Sequence, residues 1–78
     1  MKFLELVEEE INRSRAIHGN IHSAHEALGI IDEEFEEVRK EIHQRHLNKE
    51  NLLKELVQLA AMCAKAADDI GCLTTYEV

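Results

Sequence analysis

The sequence predicts an all-α fold: a three-helix chain with a long antiparallel helical hairpin, assembling into a dimeric or tetrameric helical bundle. Three observations carry that expectation. The chain has no proline and three glycines, and its apolar residues are mostly Leu, Ile, Val and Ala, a helix-forming composition. Apolar residues recur at steps of three and four in three separate segments. The third of these segments is apolar on most sides, and a single domain of 78 residues has little else with which to surround it.

The first helix is expected over about residues 2–17, where Leu4, Val7 and Ile11 fall on one stripe continued by Ser14. Gly19-Asn20 then breaks the pattern. The second helix is expected over about 23–45. Ser23 and Glu26 have capping-box spacing, with Ser23 accepting from an amide of the first turn and Glu26 reaching back. Ala24, Leu28, Ile31, Phe35, Val38 and Ile42 form a heptad-like seam, which is the expected core face. Beside it runs a stripe that starts small or apolar and turns acidic: Ser23, Ala27, Ile30, Glu34, Glu37, Glu41. Gly29, in mid-helix, marks either close packing or a kink. His46–Asn48 reads as a turn, with Asn48 as N-cap of a third helix over about 49–70 that Gly71 ends. Leu53, Leu56, Ala60, Cys63, Ala67 and Ile70 give its seam, and Leu52, Leu59, Met62 and Ala66 widen it. Residues 72–78 read as a short tail.

Composition narrows the partners. Nine basic against sixteen acidic residues give a net charge of −7, which disfavours direct grip on a nucleic-acid backbone. No stretch approaches the roughly 20 apolar residues of a membrane span, so no membrane partner is expected. Met1–Val7 lacks the pattern of a secretory signal. The two cysteines, Cys63 and Cys72, form no visible disulfide framework, and the expected compartment is the cytoplasm.

Asp32–Glu41 carries six acidic residues in ten. An i,i+3 step places two side chains on nearly one helix face, so Glu34 and Glu37 form a pair that Glu41 extends. Glu55 and Gln58 repeat the spacing on the next helix. Taken alone, an acidic row is a solvated face. Here it borders the expected core seam, and Glu55 projects from a largely apolar helix, where a carboxylate is costly unless paired or metal-bound. A short turn between the two helices would bring the pairs opposite each other. Three carboxylates and an amide oxygen are hard ligands suited to Mg²⁺ or Mn²⁺.

The order Glu33, Glu34, two residues, Glu37, seventeen residues, Glu55 resembles the MazG-like all-α nucleotide pyrophosphohydrolases. Ser23 to Asp69 carries the resemblance, through SAHEALGIIDEEFEEV and KELVQLAAMCAKAADDI, which look like a short subgroup of that family. The resemblance implies a Mg²⁺- or Mn²⁺-dependent enzyme that cleaves a nucleoside triphosphate between the α and β phosphates, giving monophosphate and pyrophosphate. It implies Glu34, Glu37 and Glu55 as metal ligands, and Glu33 as a candidate general base. Gln58 stands where the family usually has aspartate; it can ligate through its carbonyl oxygen but brings no charge. The rival expectation is therefore a helical oligomerisation or nucleotide-binding adaptor module with a degenerate metal site. Asp69 lies ~16 Å along the helix from Gln58 and is too distant to replace it in one chain.

Two further residues are candidates for substrate contact. His25 precedes the acidic row, where a residue contacting the base would sit. Lys65 interrupts an apolar run and is available to a phosphate, although snorkelling to solvent is the simpler expectation. The other histidines, 18, 22, 43 and 46, read as surface or capping groups, because no cysteine lies close enough in sequence to complete a zinc site. Arg13, Arg15 and Lys54 are further cations that could meet phosphates, although Lys54 more simply forms an i,i+4 surface pair with Glu50, and Cys63 and Met62 read as packing.

Overall fold

The computed structural model describes residues 1–76. They form three α-helices, α1 (Phe3–His18), α2 (Ala24–Ile42) and α3 (Lys49–Asp69), followed by a 3-10 turn over Cys72–Tyr76. The turn replaces the first part of the expected tail; residues 77 and 78 lie outside the described residues.

The helix ends follow local chemistry. Lys2 N–H donates to the Glu5 carboxylate at 3.3 Å, which satisfies one donor at the start of α1. Ser23 Oγ accepts from Glu26 N–H at 3.1 Å, as the capping-box spacing predicts. Glu26 reaches back one residue further than expected, to the amide of His22 at 3.3 Å. Asn48 Oδ1 accepts from Asn51 N–H at 3.1 Å and starts α3. Gly19 (φ 73°) and Gly71 (φ 83°) turn the chain out of α1 and α3 through conformations that other residues resist. The second helix stops at Ile42, three residues before the expected end. The Gln44 side chain donates to Lys40 O at 3.1 Å, taking the carbonyl that the Gln44 amide would use to continue the helix. The amide bonds Glu41 O instead, at 3.3 Å.

The third helix is the spine. It packs against both α1 and α2, whereas no Cα of α1 comes within 8 Å of a Cα of α2. A cleft is therefore left between α1 and α2, with α3 as its floor. One core cluster joins Val7 of α1 to Val57, Ala61 and Met62 of α3. A second joins Ala27 and Ala66 to Ile21, a residue of the α1–α2 link that inserts between the two helices. Ile30 and Ile31 pack against both clusters.

The face that α2 buries keeps only part of the expected seam, Ile31 and Val38, and is rotated toward the neighbouring stripe. Ala27 and Val38 are buried, Ile30, Ile31, Glu34 and Glu41 are half-buried, and Leu28, Phe35 and Ile42 are 63%, 48% and 55% exposed. On α3 the inward residues are Val57, Ala61, Met62, Lys65 and Ala66, while Leu53, Leu56, Cys63 and Ile70 look outward. Leu4 of α1 is also exposed. Ala27, Ile30 and Glu34 of the half-acidic stripe thus face α3 together with Ile31 and Val38, while Leu28, Phe35 and Ile42 of the seam are open. The physical reason is size: alanine at 27, 61 and 66 lets the helices approach, and the bulkier Leu28, Phe35 and Leu56 are left on the outside. Gly29 marks neither a kink nor a close approach, because α2 is continuous through it and an added Cβ would meet nothing within 4 Å.

Candidate functional site

The inward turn of α2 carries Glu34 to α3. The Gln58 amide, oriented with its NH₂ toward the carboxylates, donates to Glu34 Oε2 and to Glu55 Oε2, each at 3.2 Å. The opposite orientation would set the amide oxygen against two carboxylate oxygens. Glu34, Glu55 and Gln58, three residues read from the sequence as ligands, therefore meet at one junction between α2 and α3. Desolvation, then the neighbouring Glu55, Glu37, Glu10 and Glu33, push the Glu34 carboxyl above the ordinary range. Desolvation and the Glu37 and Glu41 charges raise Glu55, against the opposing pull of Lys54. The junction is short of positive charge.

The other expected ligand, Glu37, is close enough to act electrostatically on both carboxylates, but its side chain is half exposed and pairs with Lys40 at 3.2 Å. Among the described residues no group of three His, Cys, Asp or Glu side chains is arranged to hold a metal ion. The converging oxygen donors are two carboxylates and, with its amide turned over, Gln58. That set has the hard-oxygen chemistry of a Mg²⁺ or Mn²⁺ site.

Two clefts flank the junction. One, of about 310 Å³, lies between α1 and α2 and is lined by Ser14, His18, Glu33, Glu34, Met62 and Lys65. The expected base Glu33 is thus beside Glu34 on the same wall. The other, of about 580 Å³, lies between α1 and α3, where Leu6, Glu10, Arg13, Leu53, Val57 and Gln58 meet. Glu10, which the sequence reading passed over, is paired with Arg13 at 2.6 Å and still raises Glu34 through space. Its approach depends on the docking of α1, which local spacing does not reveal.

Lys65 does not snorkel. It is 2% exposed, and its ammonium donates to Ser14 Oγ at 2.9 Å across the α1–α3 contact. His25 is exposed on the first turn of α2 and lines neither cleft; the histidine at the α1–α2 cleft is His18.

Asp69 belongs to a separate constellation at the far end of α3. Its carboxylate accepts from Arg15 Nη1 at 2.6 Å and from Ile21 N–H at 2.7 Å. The amide of Ile21, followed by the Arg15 guanidinium, holds its pKa below the ordinary aspartate value against the opposing effect of burial. Arg15 also bonds Asp68 at 3.0 Å and Asn20 at 2.8 Å. Arg15 and Asp69 together clamp α1 and the α1–α2 link to α3.

No family model matches the chain, and neither a curated protein nor a solved structure matches it. No helix among the described residues is long and apolar enough to cross a membrane.

Proposed function

We propose that this chain is a divalent-metal-dependent nucleoside triphosphate pyrophosphohydrolase of the MazG-like all-α type, cleaving between the α and β phosphates to give monophosphate and pyrophosphate. The observation that supports it is the meeting of Glu34 and Glu55 at Gln58. Two carboxylates with raised pKa values, held by different helices, ask for a cation. Contacts that fall in register, Glu34 with Gln58 and Ala27 with Ala66, support reading α2 and α3 as an antiparallel hairpin. Glu34, Glu55 and the Gln58 oxygen would hold Mg²⁺ or Mn²⁺, with Glu37 released from Lys40 to complete the set. Such an ion offsets phosphate charge and polarises the phosphoryl group. Glu33, on the same wall, takes the proton of the attacking water as general base. Lys65 contacts phosphate; His25, outside both clefts, would reach a substrate only where the base projects past the first turn of α2. The compartment is the cytoplasm, where nucleoside triphosphates are available.

The test is pyrophosphate release from a panel of ribo- and deoxyribonucleoside triphosphates with Mg²⁺ or Mn²⁺, run beside Glu34→Gln. Release that requires both metal and Glu34 is expected. Release unaffected by Glu34→Gln would remove the site assignment.

A second reading, a helical oligomerisation or adaptor module, is favoured by one observation: the open apolar seam on α2 and α3. The chain exposes 5971 Å², whereas a compact monomer of its mass exposes about 4,900 Å². The excess is of the order that one partner loses in a standard protein interface, about 800 Å². We take the partner to be a second copy, in a dimer or tetramer, because Leu28, Phe35 and Leu56 recur on every copy. This assembly is compatible with the enzyme as well. Sedimentation should give a multiple of the 9.0 kDa chain mass, and Phe35→Glu should return the monomer. A monomeric native chain would remove the assembly, and a folded oligomer inert toward all nucleotides would leave the adaptor reading alone.

A further inference from the structure

We infer that the cleft between α1 and α2 is an oxyanion seat, built on Lys65 and Ser14, that takes the diphosphate end of the nucleotide and retains it as the pyrophosphate product. The naming of the anion rests on the proposed hydrolysis; the presence of the seat does not.

The argument begins with a buried cation. Lys65 is 2% exposed and Ser14 4% exposed, and the 2.9 Å bond between them is the polar contact that the ammonium makes. No carboxylate among the described residues lies within ion-pair distance of Lys65. Asp69 senses its charge, but the Asp69 oxygens are engaged by Arg15 and the Ile21 amide. A buried ammonium with one neutral acceptor is costly, and a bound anion would offset that cost. Ser14 accepts from Lys65 and so keeps its own O–H to donate. His18, one helical turn further along α1, lines the same cleft.

The cleft measures about 310 Å³, roughly ten water volumes, which leaves room for a diphosphate and some solvent. Its α2 wall is Glu33 and Glu34, so a bare polyanion entering here meets two carboxylates. Those carboxylates select for an anion already complexed with a divalent cation, with the metal side toward Glu34 and the oxygens toward Lys65 and Ser14. The opposite groove is larger and has charged residues, Glu9, Glu10, Arg13, Glu50 and Lys54, around an apolar strip. Leu6, Leu53 and Val57 form that strip, which offers a nucleoside an apolar surface. The scissile phosphate at the junction between the two clefts then leaves its diphosphate on the Lys65 side and its monophosphate on the Val57 side.

The test titrates magnesium pyrophosphate, and separately a nucleoside monophosphate, into the native chain, Lys65→Met and Ser14→Ala by calorimetry. Methionine keeps the length of the side chain in an apolar surround, and thermal melts check that both variants remain folded. Expected is a loss of pyrophosphate affinity of at least tenfold in Lys65→Met, a smaller loss in Ser14→Ala, and monophosphate affinity unchanged in both. In the native chain the Lys65 ammonium resonance should shift as pyrophosphate is added, a readout that needs no variant. Unchanged pyrophosphate affinity in folded Lys65→Met, equal loss of both ligands, or an unmoved Lys65 resonance would each overturn the seat. None of these outcomes depends on turnover, so a seat that fails leaves the hydrolysis test standing, and an inactive chain that still binds pyrophosphate through Lys65 separates the two.

Discussion

The two ends of α3 treat their carboxylates in opposite ways. At Glu55 the neighbours are Gln58 and further acids, and the carboxyl is pushed up. At Asp69 the neighbours are a backbone amide and a guanidinium, and the carboxyl is pulled down. Burial does not explain the difference, because the Asp69 side chain is only 6% exposed and burial by itself would raise its carboxyl. What differs is the second helix each end meets: the acidic stripe of α2 at one end, and Arg15 with the α1–α2 link at the other. The Asp69 end holds the fold together, while the clustered charges at the Glu55 end work against it.

The largest expected effect is on chemistry. Glu55→Gln should lower metal-dependent pyrophosphate release on the order of 100-fold, whereas Asp69→Asn, assayed where it is fully folded, should leave release nearly unchanged. Equal losses in both would mean that the two ends are not functionally distinct. Next is the fold itself. Asp69→Ala strands Arg15 and the Ile21 amide and should cost about 2 kcal/mol in urea unfolding at pH 7. The sign with pH follows from the lowered pKa of Asp69. Its contribution is fully present above the ordinary aspartate range and disappears as pH falls through the lower folded value. The difference between native chain and variant should therefore shrink in strong acid.

At the junction the sign reverses. Raised pKa values at Glu34 and Glu55 mean that their contribution is most favourable below the ordinary carboxylate range and is lost as pH rises through the raised folded values. Glu34→Gln should thus stabilise the metal-free chain at neutral pH, by less than about 1 kcal/mol because solvent reaches the group. Thermal melts in a chelator, at neutral and mildly acidic pH, check this; destabilisation at neutral pH would contradict the electrostatic account. The smallest expected effect is a modest fall in metal-free stability in Gln58→Asp, which replaces a donor to two carboxylates with a third charge, accompanied by tighter Mg²⁺ binding in titration calorimetry.

Much of this was legible locally. Ser23, Asn48, Gly19 and Gly71 mark helix ends through chemistry confined to one turn, and the structure uses all four as read. The convergence of Glu34 with Glu55 and Gln58 was legible because i,i+3 spacing and a short link leave few registers. The inward face of α2 was not. The Leu28–Phe35–Ile42 seam and the Ala27–Ile30–Glu34 stripe both fit a helix period, and only the close approach at Ala61 and Ala66 decides between them. Ile21 sits between polar residues without any period, so its burial could not be anticipated. Local spacing leaves Lys65 free to snorkel, because its partner, Ser14, is fifty-one residues away in sequence.

Because the backbones of α1 and α2 approach α3 but not each other, the two walls of the cleft are separate parts on a common support. Changes at separated, uncontacting positions add with little interaction. Variation on α1 away from Glu10 and its partner Arg13, whose charges reach Glu34, can accumulate without disturbing the carboxylates of α2, provided that α3 is kept. Such a chain can explore new ligands one wall at a time, with small alanines on α3 as the part least free to change.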